Sequence, residues 1–143
     1  MQGDWLYEHK VQYYETDMMG IVHHSNYIRW FEEARVEYLK DLGFSYKEME
    51  TRGIISPILY VACSYKSSSS FDDIIKVRIR IEKLGAYKLY LKYELFNSKS
   101  GAIVVLGETQ QGFLDLEGKP VSLKKTEPAL YKALEERVDQ DNV

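Results

Sequence analysis

Cysteine is almost missing from the 143-residue sequence, and Cys63 alone cannot form an intramolecular disulfide. Proteins without disulfides are typical of reducing compartments, so this shortage favours a cytoplasmic location. No apolar run approaches the roughly 20 residues of a membrane-spanning helix, and we therefore expect no membrane span. The first ten residues, MQGDWLYEHK, contain no apolar core of a secretory signal, which also favours the cytoplasm.

An excess of positive charge is missing as well. The formal net charge is −3 at pH 7 and the isoelectric point is near 5.7. Nucleic-acid-binding domains usually carry a basic surface, so we expect no nucleic-acid partner. Cys63 lies among apolar residues and is interpreted as a small buried thiol rather than a nucleophile. The length predicts a single domain over residues 1–143 that is large enough to bury a core.

A long amphipathic helix is predicted in the interior of the sequence. Apolar residues recur every three or four positions and predict one buried face: Ile28, Phe31, Ala34, Tyr38, Leu39 and Leu42. Charged residues between them are expected to face solvent: Arg29, Glu32, Glu33, Arg35, Glu37 and Lys40. We expect Ser25 or Asn26 to cap the start of this helix and Gly43 to follow its end.

The segments around the long helix predict strands and one short helix. A first strand is expected over residues 5–15, with His9 on its polar face. A short helix is predicted over residues 45–52. The strand that begins at Ile58 is expected to continue through four serines to Phe71, because aromatic residues flank them.

The second half of the sequence predicts antiparallel strands and a final helix. Residues 74–82 and 87–96 alternate apolar and polar side chains and predict a hairpin around Gly85. A long strand follows over residues 102–115, in which Gly107 and Gly112 suggest bulges or a close backbone approach. A C-terminal helix with one apolar face ends the pattern: Leu130, Leu134 and Val138. This order predicts an α+β fold, an antiparallel curved sheet wrapped around a central long helix.

A polar turn containing Asp17, His23 and His24 precedes the long helix. The first N–H groups of a helix lack internal partners and can bind an anion or a developing oxyanion. A carboxylate beside such amides is typical of an acyl-transfer site. The alternative is that Asp17 only caps a turn and His24 is an ordinary surface residue.

The stretch from Thr16 to Tyr27, TDMMGIVHHSNY, resembles a known signature. An aspartate, a glycine three residues later, two apolar residues and a histidine before a small residue and Asn-Tyr are typical of 4-hydroxybenzoyl-CoA thioesterase-like acyl-CoA thioesterases. The predicted order of elements is also similar to the hotdog fold of that family. This resemblance implies an acyl-CoA thioesterase that hydrolyses the thioester to free acid and CoA without a cofactor.

The resemblance also implies roles for particular residues. Asp17 would act as nucleophile through a mixed anhydride or as general base on water, and the sequence leaves both routes open. The backbone N–H of His24 would bind the thioester carbonyl oxygen, and Gly20 would help the turn to place Asp17. Supporting positions in the site are Tyr14, Asn26 and Tyr27. Candidates for binding the CoA phosphates are Lys66, Lys83 and Lys88.

Hotdog proteins join two sheets edge to edge, so the resemblance implies a homodimer or homotetramer with sites between subunits. The chain departs from the family pattern at Met18 and Met19, which make the mouth of the acyl pocket bulkier. The acyl group stays open, as does the carrier, coenzyme A or acyl carrier protein.

Three other functions are compatible with parts of this pattern. A non-catalytic acyl-CoA or acyl-carrier-protein binding module would share the pocket but would not need Asp17. A metal site of Asp17, His23 and His24 is disfavoured because adjacent histidines seldom point at one ion. A hotdog dehydratase would pair a loop histidine with an acid on the central helix, where the glutamates are expected to face solvent.

Overall fold

The computed structural model of the protein describes residues 5–141, and the side chains of residues 5–138. The predicted domain boundaries, 1–143, and the first four residues of the N-terminal segment extend outside that range. The elements are β1 (Leu6–Lys10), a 3₁₀ turn (Tyr13–Glu15), α1 (Ser25–Asp41), α2 (Tyr46–Thr51), β2 (Ile58–Tyr65), β3 (Ile74–Leu84), β4 (Lys88–Asn97), β5 (Ile103–Gly112), α3 (Leu123–Thr126) and α4 (Pro128–Asp141).

The strands form one antiparallel sheet in the order β1-β3-β4-β5-β2. The predicted hairpin is confirmed, because β3 pairs with β4 along most of its length. Alternate side chains of this hairpin are fully buried in the core, including Ile79, Ile81 and Leu91. Burying each such side chain stabilises the fold by about 1.5–3 kcal/mol. The predicted α+β architecture is therefore confirmed.

The long helix lies close against the sheet at Gly107. A Cβ added at this glycine would lie 2.2 Å from Cζ of Phe31, so only glycine allows the ring of Phe31 to pack there. That ring stacks on Tyr93 at 4.4 Å between centroids. The predicted close backbone approach at Gly107 is confirmed.

The start of α1 differs from the prediction. His24 precedes the first helical residue and makes no side-chain cap, whereas Ser25 and Asn26 were expected to provide one. The Ser25 hydroxyl lies 2.8 Å from Nδ1 of His23, and the Asn26 amide donates to the carbonyl of Glu15. Neighbouring loop groups thus engage both side chains. At the other end Gly43 has φ +104°, and its predicted left-handed position is confirmed.

Two residues of α1 lie on the side opposite to the prediction. Arg35 was expected in solvent but is only 6% exposed, and its guanidinium donates to the hydroxyl of Tyr93 at 3.1 Å. Ile28 was expected in the core but is 40% exposed. The buried stripe of the helix includes Tyr27, Phe31 and Arg35 but not Ile28. Helical spacing alone predicts neither the centre nor the width of that stripe.

The first strand is shorter than predicted, because β1 ends at Lys10 and the chain turns before Glu15. The Glu15 carboxylate accepts the N–H of Gln12 at 2.8 Å and closes this turn. His9 does not lie on a solvated face. Its ring stacks on Trp30 of α1 at 4.3 Å between centroids.

The serine-rich segment is not a strand, because β2 ends at Tyr65. The next two N–H groups, of Lys66 and Ser67, both donate to the carbonyl of Val104, which ends the regular ladder. Ser69 is 1% exposed and lies inside the domain. Long-range hydrogen bonds, which local composition does not reveal, decide the path of this segment.

The remaining predicted elements agree with the structure more closely. The short helix is α2, and Leu130 and Leu134 of the C-terminal helix are buried. The strand predicted over residues 102–115 spans Ile103–Gly112. Cys63 is half-buried on β2 rather than fully buried, and burial raises the pKa of its thiol. Among the described residues, no helix is long and apolar enough to cross a membrane.

Candidate active site

Asp17 lies in a tight turn between the 3₁₀ turn and α1. Its N–H donates to the carbonyl of Ile21 at 2.8 Å, and its carbonyl accepts the N–H of Gly20 at 3.0 Å. Thr16 and Val22 form an antiparallel bridge across the base of the turn. Gly20 has φ +79°, and a Cβ there would meet nothing within 4 Å. Glycine is favoured at this position by backbone conformation rather than by space.

The carboxylate of Asp17 is half-buried and holds the turn with one oxygen, because Oδ1 accepts the N–H of Met19 at 2.8 Å. The turn-capping contact of the alternative interpretation is therefore present. Within residues 5–141, however, Oδ2 makes no hydrogen bond. One oxygen fixes the side chain, and the other remains available to a bound molecule.

The backbone amides at the start of α1 differ in their hydrogen-bond partners. The N–H of Ser25 points to Nδ1 of His23 at 3.3 Å, and the N–H of Asn26 donates to the carbonyl of His23 at 3.0 Å. The N–H of His24 has no hydrogen-bond acceptor in the part of the chain that the structure describes. This N–H carries the partial positive charge of the helix start and could bind an oxyanion.

Tyr65, at the end of β2, supports the start of α1 from the sheet. Its hydroxyl donates to the carbonyl of His24 at 3.3 Å, and its ring meets that of His24 edge-on at 6.1 Å. Burial, together with the nearby Cys63 thiol, raises the pKa of Tyr65 to about 12. The phenol therefore stays protonated and remains a donor at neutral pH. Nothing in the sequence pattern indicated this residue, which lies 41 positions after its partner.

Asn26 and Tyr27 are both buried and bonded inside the domain. The Asn26 side chain donates to the carbonyl of Glu15 at 2.9 Å, and the Tyr27 hydroxyl lies 3.1 Å from Oγ of Ser69. The carbonyl of Ser69 also accepts the N–H of Val22 at 2.9 Å. These contacts join the Asp17 turn, the helix start and the serine segment. The sequence did not indicate Glu15 or Ser69.

Exposed apolar side chains surround the Asp17 turn. Tyr14 is 81% exposed, and Met18 and Met19 are also exposed on the turn. Tyr13 meets Phe71 edge-on at 5.6 Å. The Asp17 turn therefore presents apolar side chains at the protein surface, and Tyr14 is among them.

The three candidate lysines do not lie together. Lys66 follows β2, and its N–H donates to the carbonyl of Val104 at the beginning of β5. This is the end of the sheet where Asp17 lies. Lys83 and Lys88 lie on the β3–β4 hairpin at the opposite end. β4 has ten residues and is about 30 Å long. Of these three lysines, Lys66 alone lies at the end of the sheet that the Asp17 turn occupies.

Glu32 and Glu37 of α1 are exposed as expected, whereas Glu33 is partly buried and contacts β1. Glu33 accepts from the hydroxyl of Tyr7 at 3.0 Å and lies 2.9 Å from Nδ1 of His9. Burial and the Glu33 carboxylate raise the pKa of Tyr7 to about 12. Among the described residues, no group of three or more His, Cys, Asp or Glu side chains is arranged to hold a metal ion.

The thioesterase-like superfamily model matches residues 11–134, which include the Asp17 turn, α1 and every strand of the sheet except β1. The chain belongs to the thioesterase-like superfamily. The predicted family, the hotdog fold and the class of enzyme, a thioester hydrolase, are confirmed.

Individual members of the superfamily support this assignment. The structure of a DHNA-CoA thioesterase from Staphylococcus aureus is 36% identical, with a TM-score of 0.89, and the match covers 96% of this chain and 92% of that one. A hypothetical protein from Aquifex aeolicus is 37% identical with a TM-score of 0.80, over 88% of this chain and 98% of that one. The acyl-CoA thioesterase YbgC of Haemophilus influenzae is 26% identical over 129 residues, 87% of this chain and 92% of that protein.

Proposed function

We propose that this thioester hydrolase acts on acyl-CoA and releases free acid and coenzyme A. The observation that supports this most directly is the Asp17 carboxylate, fixed by one oxygen in a tight turn that leads into α1. At the start of that helix the His24 N–H has no acceptor among the described residues. Coenzyme A as carrier is supported by the names of the Staphylococcus and Haemophilus relatives, both of which are called thioesterases of CoA compounds.

Asp17 can act by either of two routes that give the same products. As nucleophile, its free oxygen attacks the thioester carbonyl, the CoA thiolate leaves, and water hydrolyses the resulting mixed anhydride. As general base, it takes a proton from water, which attacks the same carbonyl and expels the thiolate. In both routes negative charge develops on the carbonyl oxygen. The His24 N–H is the proposed donor to that oxygen, a contribution of about 3–4 kcal/mol in comparable sites.

The acyl group would lie in the apolar mouth formed by Tyr14, Met18 and Met19. Lys66 is the proposed phosphate contact closest to Asp17 within a protomer. Lys83 and Lys88 would serve a site only if a second copy or a folded-back CoA reached the opposite end of the sheet. Asn26 and Tyr27 would act by shaping the helix start, because both side chains are buried.

We also propose that two copies pair through β2, as a homodimer or as part of a homotetramer. β2 is an edge strand, so one side of its backbone makes no ladder within the described protomer. Its side chains include four exposed apolar residues: Ile58, Leu59, Tyr60 and Val61. A long apolar edge is prone to pair with another strand, and a second copy would cover it.

The test is thiol release from acyl-CoAs ranging from acetyl to palmitoyl, together with benzoyl-, phenylacetyl- and dihydroxynaphthoyl-CoA, by the wild type and by Asp17→Asn. Asp115→Asn is the matched control, because Asp115 also caps a turn by accepting the N–H two residues later. Release that depends on Asp17 and not on Asp115 supports the proposal. If no ester is cleaved but acyl-CoA still raises the melting temperature, the chain is a non-catalytic binding module.

A further inference from the structure

A buried carboxylate lies behind the Asp17 turn, on the side away from solvent. Glu15 is 4% exposed, and both of its oxygens are engaged. Oε1 accepts the N–H of Gln12 at 2.8 Å and lies 2.8 Å from Nε2 of His9. Oε2 accepts the indole N–H of Trp30 at 2.8 Å. Partners from β1, α1 and the 3₁₀ turn thus hold a single carboxylate.

The backbone of Glu15 makes a second set of contacts. Its carbonyl accepts the N–H of His23 at 2.9 Å and the side-chain amide of Asn26 at 2.9 Å. Both donors lie at the start of α1, beside the unengaged N–H of His24. Glu15 is therefore fixed to the core through its side chain and to the helix start through its carbonyl, two residues before Asp17.

The network extends beyond Glu15, because Nδ1 of His9 lies 2.9 Å from the carboxylate of Glu33 on α1. The His9 ring bridges two carboxylates and stacks on Trp30. Burying a charged group is costly, and packing alone is often better served by apolar side chains of similar size. A network in which each polar atom has a partner does, however, fix one arrangement of the groups it joins.

We propose that Glu15 is a positioning residue for Asp17: its clamped carboxylate holds the backbone that sets the distance between the Asp17 turn and the start of α1. This inference rests on the proposed function, since it assigns Glu15 to the alignment of the same two groups. A misplacement of about 1 Å can lower a catalytic rate about a hundredfold, so a network without contact to substrate can still control turnover.

The test is a double-mutant cycle between Glu15→Gln and Asp17→Asn, measured as kcat and KM for the best ester of the wild type. A glutamine amide has one acceptor oxygen instead of two, so it cannot keep all the contacts of Glu15. In the wild-type background we expect kcat to fall about 10–100-fold with KM little changed. In the Asp17→Asn background we expect no further fall, because the group that Glu15 positions is already missing.

Hydrogen exchange supplies a second, activity-independent measurement. Glu15→Gln should speed the exchange of amides in residues 16–26, which include the His23 N–H bonded to the Glu15 carbonyl. Glu127→Gln is the matched control, because it removes a 2.7 Å ion pair with Arg52 at a different place in the fold. That control should change neither kcat nor exchange in residues 16–26.

Two results would overturn the positioning role: an equal loss of activity in both backgrounds of the cycle, or unchanged exchange in residues 16–26. If Glu15→Gln does not fold, His9→Phe keeps an aromatic ring against Trp30 and removes both ring nitrogens, and the same cycle applies. If the wild type cleaves no ester, the proposed function is wrong. In that case the exchange experiment still decides whether Glu15 holds the turn.

Discussion

Asp17 and Glu15 carry the same functional group in contrasting surroundings. Asp17 is half-buried with one backbone contact, whereas Glu15 is buried and bonded by a backbone amide, an indole and an imidazole. The Asp17 carboxylate has a free oxygen and is suited to react. The Glu15 carboxylate, whose oxygens are both hydrogen-bonded, is suited to a structural role. The surroundings, not the residue type, separate the two proposed roles.

Asp17→Asn should lower kcat by about a thousandfold or more, because losses of that order follow removal of a central catalytic group. The amide keeps an oxygen that can accept the Met19 N–H, so the turn should survive. Steady-state thiol release measures the effect. Activity within a few-fold of the wild type would remove Asp17 from the mechanism.

His24→Ala should cost less activity than Asp17→Asn, because the proposed oxyanion donor is the backbone N–H, which alanine retains. The imidazole is exposed and contacts the rings of His23 and Tyr65. The comparison requires kcat for both variants on the same ester. A loss as large as that of Asp17→Asn would instead make the imidazole essential.

Glu15 should make stability depend on pH in acid. Burial raises the pKa of this carboxyl, but hydrogen bonds from Gln12, His9 and Trp30 outweigh it, and the net pKa is lowered from 4.5. The ionised form thus stabilises the fold above about pH 4.5, and this contribution is lost as pH falls through the lowered pKa.

Urea unfolding of the wild type and Glu15→Gln at pH 7 and at pH 3 measures this contribution. The free energy of unfolding should differ by about 1–3 kcal/mol at pH 7. The difference should be smaller at pH 3, because the contribution of the ionised carboxylate is lost progressively as the pH falls below 4.5. An equal difference at both pH values would contradict the assignment.

At the scale of elements, α1 packs against β5 at Gly107, a residue without a side chain. The Phe31 ring occupies the space over Gly107 and stacks on Tyr93, the residue that pairs with Gly107 on β4. The helix can lie this close only because the ring and the glycine match. This contact sets the height of α1 above the sheet and, with it, the position of the helix start.

Gly107→Ala should lower the free energy of unfolding by about 1–3 kcal/mol, the usual cost of overpacking a core. The added Cβ would lie 2.2 Å from Phe31, and the stacked Tyr93 leaves the ring little room to move. Chemical denaturation measures the loss. Phe31→Leu should restore part of it in the double variant, and a neutral Gly107→Ala would show that the contact relaxes freely.

At the scale of the whole molecule, the two edges of the sheet differ. β1 has five residues, and its Glu8 and Lys10 pair with charged residues of the same protomer. β2 has eight residues and exposes a row of apolar side chains. Charged residues and short length protect an edge strand from pairing. The edge at β2 is therefore more available to a second copy than the edge at β1.

The molecular mass of the wild type, measured by sedimentation, should therefore be at least twice the 16.7 kDa of one chain. Val61→Lys on β2 should shift the protein towards monomer, because a charge would be buried where the two edges meet. Leu6→Lys is the matched control, since this residue is similarly exposed but lies on β1. A monomeric wild type, or equal effects of the two substitutions, would contradict pairing through β2.

The sequence pattern was sufficient to predict those structural features that depend on residues close together in the chain. The alternation of β3 and β4, the length of α1, the glycine after it and the compact Asp17-to-Asn26 motif all depend on residues close in sequence. These features predicted an antiparallel sheet wrapped around a long helix. The resemblance of the motif to a thioesterase signature implied the hotdog fold and the catalytic role of Asp17.

Contacts between segments that are distant in the sequence determined which polar side chains are buried and what they bind. Tyr65 meets His24 across 41 positions, Arg35 finds the hydroxyl of Tyr93 across 58, and His9 is drawn inward to Glu15 and Glu33. In the sequence, polar side chains like these cannot be distinguished from surface residues. A polar group can be buried only if it has a hydrogen-bond partner, and these partners come from distant parts of the chain that meet only in the folded protein. Local periodicity therefore determined the scaffold, and tertiary packing alone determined which polar groups surround the Asp17 turn.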